Sequence, residues 1–240
     1  MTPHHGTESA PSPTPPPAEP TPHTGLRELK KQRTRNALVR SALELFTTQG
    51  YERTTVDEIT DAVEVSQRTF FRYFANKEEV AFAVQDVVEE LFHAAVCERP
   101  AEEPPMTALR HAVLHAWDAI GQAIEEAVPP ELHMRMYQVI ESTPALLAVH
   151  LRRSAEQEER LAQEIARRED LDVDSDPRPR VLVAAFGGVM RVSGRLWGAG
   201  HDCSSDAIRE ITESYLDHLG PALSEDWRDT DHIGREHAPD

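Results

Sequence analysis

The chain reads as all-α, and three observations lead there. Apolar residues recur at helical spacing along most of its length. Prolines and capping residues interrupt that spacing at intervals, and no stretch sustains the period-two alternation of a strand. The pattern predicts an N-terminal three-helix domain containing a helix-turn-helix, then a larger helical domain, with about nine helices in all. The expected boundaries are a Pro-rich disordered tail over 1–25, the helix-turn-helix domain over 26–80, the second helical domain over 81–220, and a flexible charged tail over 221–240.

Beyond Met1, residues 1–25 hold no large apolar side chain, so burial cannot offset the entropy of ordering them. From Leu26 to Gln49 the pattern is helical. Leu38, Ala42, Leu45 and Phe46 share a face, and Gly50 is a stop. A second helix fits Val56 to Val63, with Thr55 as N-cap and Glu58 completing a capping box. Val65 and Ser66 make a turn, and Ser66 caps a third helix running through Phe74. Asn76 caps a long fourth helix reaching about Cys97, with Val80, Val84, Val87, Val88 and Leu91 along one side. After a break at Arg99–Pro105, helices are expected near 106–127, 131–140, 144–170, 178–199 and 205–219. Pro129-Pro130, Thr143-Pro144, Asp176–Pro179 and Gly198–Ser204 separate them, and Pro144 suits a first helical turn.

The net charge of −17 argues against a nucleic-acid partner for the molecule as a whole, but it is unevenly spread. Residues 1–25 carry −2, residues 26–80 carry +1, and residues 81–240 carry −16. An acidic body repels phosphate, so only the near-neutral segment can face DNA. Two cysteines, Cys97 and Cys203, make no disulfide framework. With no apolar run that resembles a leader or a membrane span, a cytoplasmic location with no membrane partner is expected.

The stretch from Thr55 to Lys77 carries the chemistry. Two short helices around a tight turn place the first turn of the second one in a major groove. Phe46, Ile59, Val65, Phe70 and Phe74 can close a small three-helix core beneath it. Thr54 and Thr55 open a helix whose free N–H groups and hydroxyls suit a phosphate. Ser66, Gln67, Arg68 and Thr69 form the leading turn of the recognition helix. Gln67 can pair with adenine and Arg68 with guanine, so these two are the expected sequence readers. Arg72 and Tyr73, further along, point to phosphates. Leu26 to Arg40 holds six Arg/Lys against Glu28 alone, which suits either a basic arm along the backbone or a solvated first helix.

The run ALELFTTQGYERTTVDEITDAVEVSQRTFFRYFANKEEV resembles the DNA-binding domain of TetR-family transcriptional regulators, matching at Phe46, Gly50, Tyr51, Thr54, Thr55, Val56, Ile59, Val65, Ser66, Thr69, Phe71, Tyr73, Phe74, Lys77 and Glu78. The resemblance implies that Lys77 touches the DNA backbone and that 81–220 is a ligand-binding and dimerisation domain. Two departures stand out. The family usually has glycine where Glu64 stands, because the turn there often needs positive φ. It usually has tyrosine where Phe71 stands. Phe71 can pack on sugar or a thymine methyl but cannot bond phosphate.

Two helices near the end of the chain carry Leu182, Phe186, Val189, Leu196 and Trp197, then Ile208, Ile211, Tyr215 and Leu219. Gly187, Gly188 and Gly194 would admit a partner helix, so a two-fold four-helix interface is expected. A small apolar ligand is expected among Phe92, Trp117, Ile120, Met134, Tyr137, Phe186 and Met190. The segments RMYQVIESTPALLAVHLRR and RPRVLVAAFGGVMRVSGRLW are similar to a TetR subgroup that binds acyl-CoA-like ligands, which implies an anionic head near Arg135 or Arg191. His111 and His115 lack a third metal ligand, and no catalytic or cofactor motif occurs, so no metal, cofactor or enzymatic activity is expected. The expected function is a homodimeric regulator, a repressor released from a palindromic double-stranded DNA operator by a small ligand. The alternatives are regulation by a protein partner or autoregulation without a ligand, and a helical enzyme or carrier on a vestigial DNA-binding fold.

Overall fold

The computed structural model describes residues 22–224 and contains ten helices and no strand among them. The parts of the 1–25 and 221–240 tails beyond that range lie outside the described residues. Helix α1 (Pro22–Thr48) starts four residues before the predicted pattern. Its segment up to Thr34 is a unit by itself, with exposed Arg27, Lys30, Lys31 and Arg33 and exposed Leu26 and Leu29. Within that segment Lys31 lies 3.7 Å from Glu28.

From Arg35 onward the chain forms a second unit. Helix α1 packs with α2 (Val56–Ala62), α3 (Gln67–Phe70) and α4 (Lys77–Ala81) around Leu38, Phe46, Ile59, Phe70 and Phe74, all buried. Each side chain is apolar and falls on one face of its helix, so closing the three-helix core removes that surface from water. Arg35 lies over the Phe74 ring at 5.3 Å, and burial lowers its pKa. It therefore serves the core rather than a free basic arm.

The turn between α2 and α3 explains Glu64. Val65 N–H returns to the Thr60 carbonyl (3.0 Å) and Glu64 N–H to the Asp61 carbonyl (3.1 Å). That double closure requires the residue between the C-cap and Val65 to be left-handed, and Glu64 has φ 55°. The turn keeps the geometry that glycine normally supplies.

The expected fourth helix begins at its Asn76 cap and ends at Cys97, but it is broken at Phe82, giving α4 and α5 (Ala83–Cys97). Phe82 has φ −99° and ψ 4°, off the helical line, and it is fully buried. The extra break raises the count from nine to ten. The remaining helices are α6 (Pro105–Ala127), α7 (Pro130–Ser142), α8 (Pro144–Arg168), α9 (Arg178–Ala199) and α10 (Ser205–Ser224), with proline in the first turn of α6 to α9. In sequence of contact, α5 packs on α6, α6 on α10, α10 on α9, α9 on α8 and α8 on α7, which leaves a hollow inside the ring.

Replacing Glu64 by glycine removes a left-handed cost of about 1 to 2 kcal/mol against a backbone entropy cost of about 0.5 to 1 kcal/mol. Glu64→Gly is expected to match or exceed the parent in urea denaturation, and Glu64→Val to fall below it. Equal loss in both variants would show that the glutamate side chain itself matters.

Candidate nucleic-acid interface and cavity

Helix α3 is shorter than predicted. Its N-cap Ser66 accepts from Thr69 N–H at 3.2 Å and lies 3.0 Å from Thr69 Oγ1. Beyond Phe70 the helical ladder tightens. Tyr73 N–H and Phe74 N–H both reach the Phe70 carbonyl, at 2.8 and 3.0 Å, so the chain leaves the helix axis in time to reach the Asn76 cap. Gln67, Arg68, Phe71 and Arg72 are exposed there, while Thr69 and Tyr73 are half-buried. Phe71 is 53% exposed although large and apolar, which suits contact with another surface. Gln67 Nε2 donates to Asp57 on α2, which holds its amide in place. Arg72 donates to Tyr73 Oη (3.2 Å) and lies 5.0 Å over its ring.

Three expected contact residues are spent inside the protein. Thr54 is buried, its hydroxyl donating to the Gly50 carbonyl (2.9 Å) and accepting from Gln49 (3.3 Å), so its side chain cannot reach a phosphate. Thr55 is exposed but closes the capping box: its N–H donates to Glu58 Oε2 (2.8 Å) and its hydroxyl accepts from Glu58 N–H (3.2 Å). Those bonds hold the Glu58 carboxyl below its ordinary range. Lys77 Nζ donates to the Tyr51 and Thr54 carbonyls at 2.9 and 3.2 Å, lies 3.4 Å from the Glu52 carbonyl, and sits 4.3 Å over the Tyr51 ring. The ammonium is turned inward and fixes the loop before α2. Sequence spacing placed these residues correctly along the chain but could not show which way they face.

The hollow among α5 to α10 is a cavity of about 570 Å³. Phe92, Trp117, Ile120, Tyr137, Phe186 and Met190 all line it, and Met134 does not, being buried elsewhere. Phe92 and Phe186 stack at 5.7 Å, and Tyr137 meets Trp197 edge-on at 6.0 Å. The glycines of α9 make room for this wall. A Cβ at Gly194 would lie 2.7 Å from Tyr137 Oη and one at Gly198 would lie 2.8 Å from its ring, while Gly187 lies under Glu158. Gly187 and Gly194 therefore admit side chains of α8 and α7 in the same chain, not a partner helix, and only Gly188 faces open space. Phe186, Val189 and Trp197 are likewise buried within the chain, whereas Val181, Leu196 and Tyr215 on α9 and α10 stay exposed.

Residues around the cavity also hold polar atoms that are packed away from its open space. Both amide atoms of Gln85, Trp117 Nε1, Gln157 Nε2, Trp197 Nε1 and Thr212 Oγ1 are buried without a hydrogen bond. Burial pushes the Glu89 carboxyl up to about 7 and the His133 imidazole down to about 4, and it lowers His150. Sequence reading missed Gln85, Gln157 and Thr212, because a polar residue on an amphipathic helix looks like solvent face. Arg135 is exposed and outside the cavity, and Arg191 is ion-paired with Glu158. His111 lies 2.9 Å from Glu103, and no group of three side chains that could hold a metal occurs among the described residues.

Comparison with known proteins places the chain. Residues 38–84 match the profile described as bacterial regulatory proteins, tetR family, and residues 103–224 match the MftR C-terminal domain. The chain is 49% identical to the HTH-type transcriptional regulator TcmR of Streptomyces glaucescens over 85% of its own length and 90% of that protein. The chain belongs to the TetR family. As a TetR-family member it is a DNA-binding transcriptional regulator and not an enzyme. It is also 26% identical, over 40% of its length and 45% of the relative, to the HTH-type transcriptional repressor NicS of Pseudomonas putida. Among solved structures, the SmeT–triclosan complex (TM-score 0.54, 16% identity, 87% and 100% of the two chains) and a transcriptional regulator from Pseudomonas aeruginosa PAO1 (0.53, 14%, 85% and 98%) share the TetR fold. No helix among the described residues is long and apolar enough to cross a membrane.

Lys77→Met leaves the Tyr51 and Thr54 carbonyls unmatched and is expected to cost about 2 kcal/mol in urea denaturation. Unchanged stability with weaker DNA binding would instead make Lys77 a phosphate contact. Glu89 has a raised folded pKa, so its contribution is present below its ordinary value of 4.5 and lost as pH rises through about 7. Glu89→Gln should therefore gain stability over the parent as pH rises from about 5 to about 8. A constant difference across that range would place the Glu89 pKa near its ordinary value.

Proposed function

We propose that the chain is a homodimeric repressor that reads a palindromic operator with Gln67 and Arg68 and releases it when a small ligand fills the α5–α10 cavity. Arg68 carries the reading role because its guanidinium is exposed and makes no hydrogen bond or ion pair among the described residues. Phe71 and Arg72 flank it for sugar and phosphate contact, and Ser66, Thr69 and Tyr73 frame the turn. The exposed Val181, Leu196 and Tyr215 supply the apolar surface for a two-fold pairing of α9 and α10. The single observation that carries ligand control is the cavity itself. A regulator governed only by a protein partner has no need of about 570 Å³ of unfilled, mostly apolar space.

Helix α8 connects that cavity to the DNA-binding helices. His150, Gln157 and Glu158 line the cavity from α8. On the same helix, Arg152 lies 3.8 Å from Glu78 of α4, His150 stacks on Phe82, and Arg153 covers Phe82 and pairs with Asp86. A ligand that moves Tyr137 or His150 thereby biases the α4–α5 break and the spacing of the two recognition helices. Release follows from differential affinity for the two arrangements.

Selection of bound fragments from random DNA is expected to return a two-fold symmetric consensus with half-sites about 10 base pairs apart or a multiple of that. An asymmetric consensus would overturn the dimer reading. Arg68→Ala should relax one base position in each half-site, at about 1 to 3 kcal/mol. Unaltered preference in Arg68→Ala would move the reading role to another residue.

A further inference from the structure

Gln67 is the first residue of α3, and Asp57 stands in the first turn of α2. The Gln67 amide nitrogen donates to the Asp57 carboxylate, so the two helices are tied together at the leading turn of the recognition element. Both side chains are exposed. The Asp57 carboxylate has no other hydrogen bond or ion pair among the described residues. Helix α2 does not need it as a cap, because Thr55 and Glu58 already close the capping box. An acid beside a DNA-reading side chain repels phosphate and lowers affinity, so its presence there calls for a reason.

The reason lies in the chemistry of the amide. A glutamine amide carries one acceptor oxygen and two N–H donors, and a half-turn about its last bond exchanges them. In the major groove adenine presents an acceptor (N7) beside a donor (the N6 amino group), whereas guanine presents two acceptors (N7 and O6). An unrestrained glutamine meets adenine with Oε1 and one N–H, or guanine with both N–H groups. A carboxylate only accepts, so the atom of Gln67 that meets Asp57 is Nε2, and one of its two N–H donors is spent there. One N–H and Oε1 remain. That pair matches adenine, and against guanine it sets oxygen against oxygen and leaves an acceptor unmet.

Given the base-reading role proposed above for Gln67, we infer that Asp57 is a specificity-determining positioning residue. By holding one N–H of Gln67, it makes that glutamine read adenine and reject guanine.

Fluorescence-anisotropy titration of the full chain on labelled duplexes tests this, with the consensus from the random-DNA selection as the parent duplex. Gln67→Ala marks the base pair that Gln67 reads, as the position in each half-site whose preference it flattens. There the parent should favour adenine over guanine by at least about tenfold. Asp57→Asn keeps the size and shape of the side chain but can donate as well as accept, so the Gln67 amide can turn and offer guanine two donors. Asp57→Asn should cut the adenine-over-guanine ratio at least about fivefold and leave the preference at the Arg68 position unchanged. It should also hold or raise affinity for unrelated duplex, because a negative charge near phosphate is gone. Asp57→Ala should behave alike. A parent-like ratio in Asp57→Asn would overturn the inference and leave Gln67 a reader, as would a parent preference for guanine at that position. An equal loss on every duplex would reduce Asp57 to structural support and overturn it too. Gln67→Ala with every base preference intact would sink the reading role of Gln67 and the role of Asp57 with it.

Discussion

Phe82 is the constraint on which the arrangement turns. It is fully buried at the junction of α4 and α5, with its ring stacked on His150 and covered by Arg153. A straight helix from Asn76 to Cys97 would have satisfied the local pattern. The break separates α4, which ends the DNA-binding core, from α5, which walls the cavity, with Phe82 at their junction. Helix α8 reaches both sides of that junction, Arg152 toward Glu78 and Arg153 to Asp86. Close-packed cores shift between discrete arrangements rather than deform smoothly.

The cavity is the counterpart of that rigidity. Most of the chain is packed to exclude water, yet α5 to α10 surround about 570 Å³ of open space. The glycines of α9 are spent on Tyr137 and Glu158, which hold one wall open. Glu158 and Arg191 neutralise each other across α8 and α9, so the pair fixes the wall and offers no free charge.

In the DNA-binding part, the same accounting separates grip from support. Thr54 and Lys77 satisfy the backbone of the loop before α2, Thr55 closes a cap, and Glu64 accepts a left-handed conformation to complete the turn. These residues brace the segment around α3, and Arg68, Phe71 and Arg72 stay exposed on it. Helix α3 has only four residues, and the bonded loop and turn around it hold it in place.

Helix boundaries were legible in the sequence because caps, prolines and apolar spacing are local: Asn76, Thr55, Ser66 and the prolines opening α6 to α8 act within a turn of themselves. The family was legible for the same reason, since the Thr55–Lys77 motif is short and its spacing is rigid. Six of the seven residues expected around the cavity do line it, because large apolar residues in the middle helices must be buried somewhere. Orientation was not legible. Whether Thr54 and Lys77 face phosphate or backbone, whether Gly194 receives a partner helix or Tyr137, and whether Arg191 is free or paired depend on contacts between segments far apart in sequence. So does the break at Phe82, where burial against α8 outweighs the preference of the local residues to continue a helix. The chain's own residues set its helices and its family, and packing between helices decided which side chains remain free to bind anything.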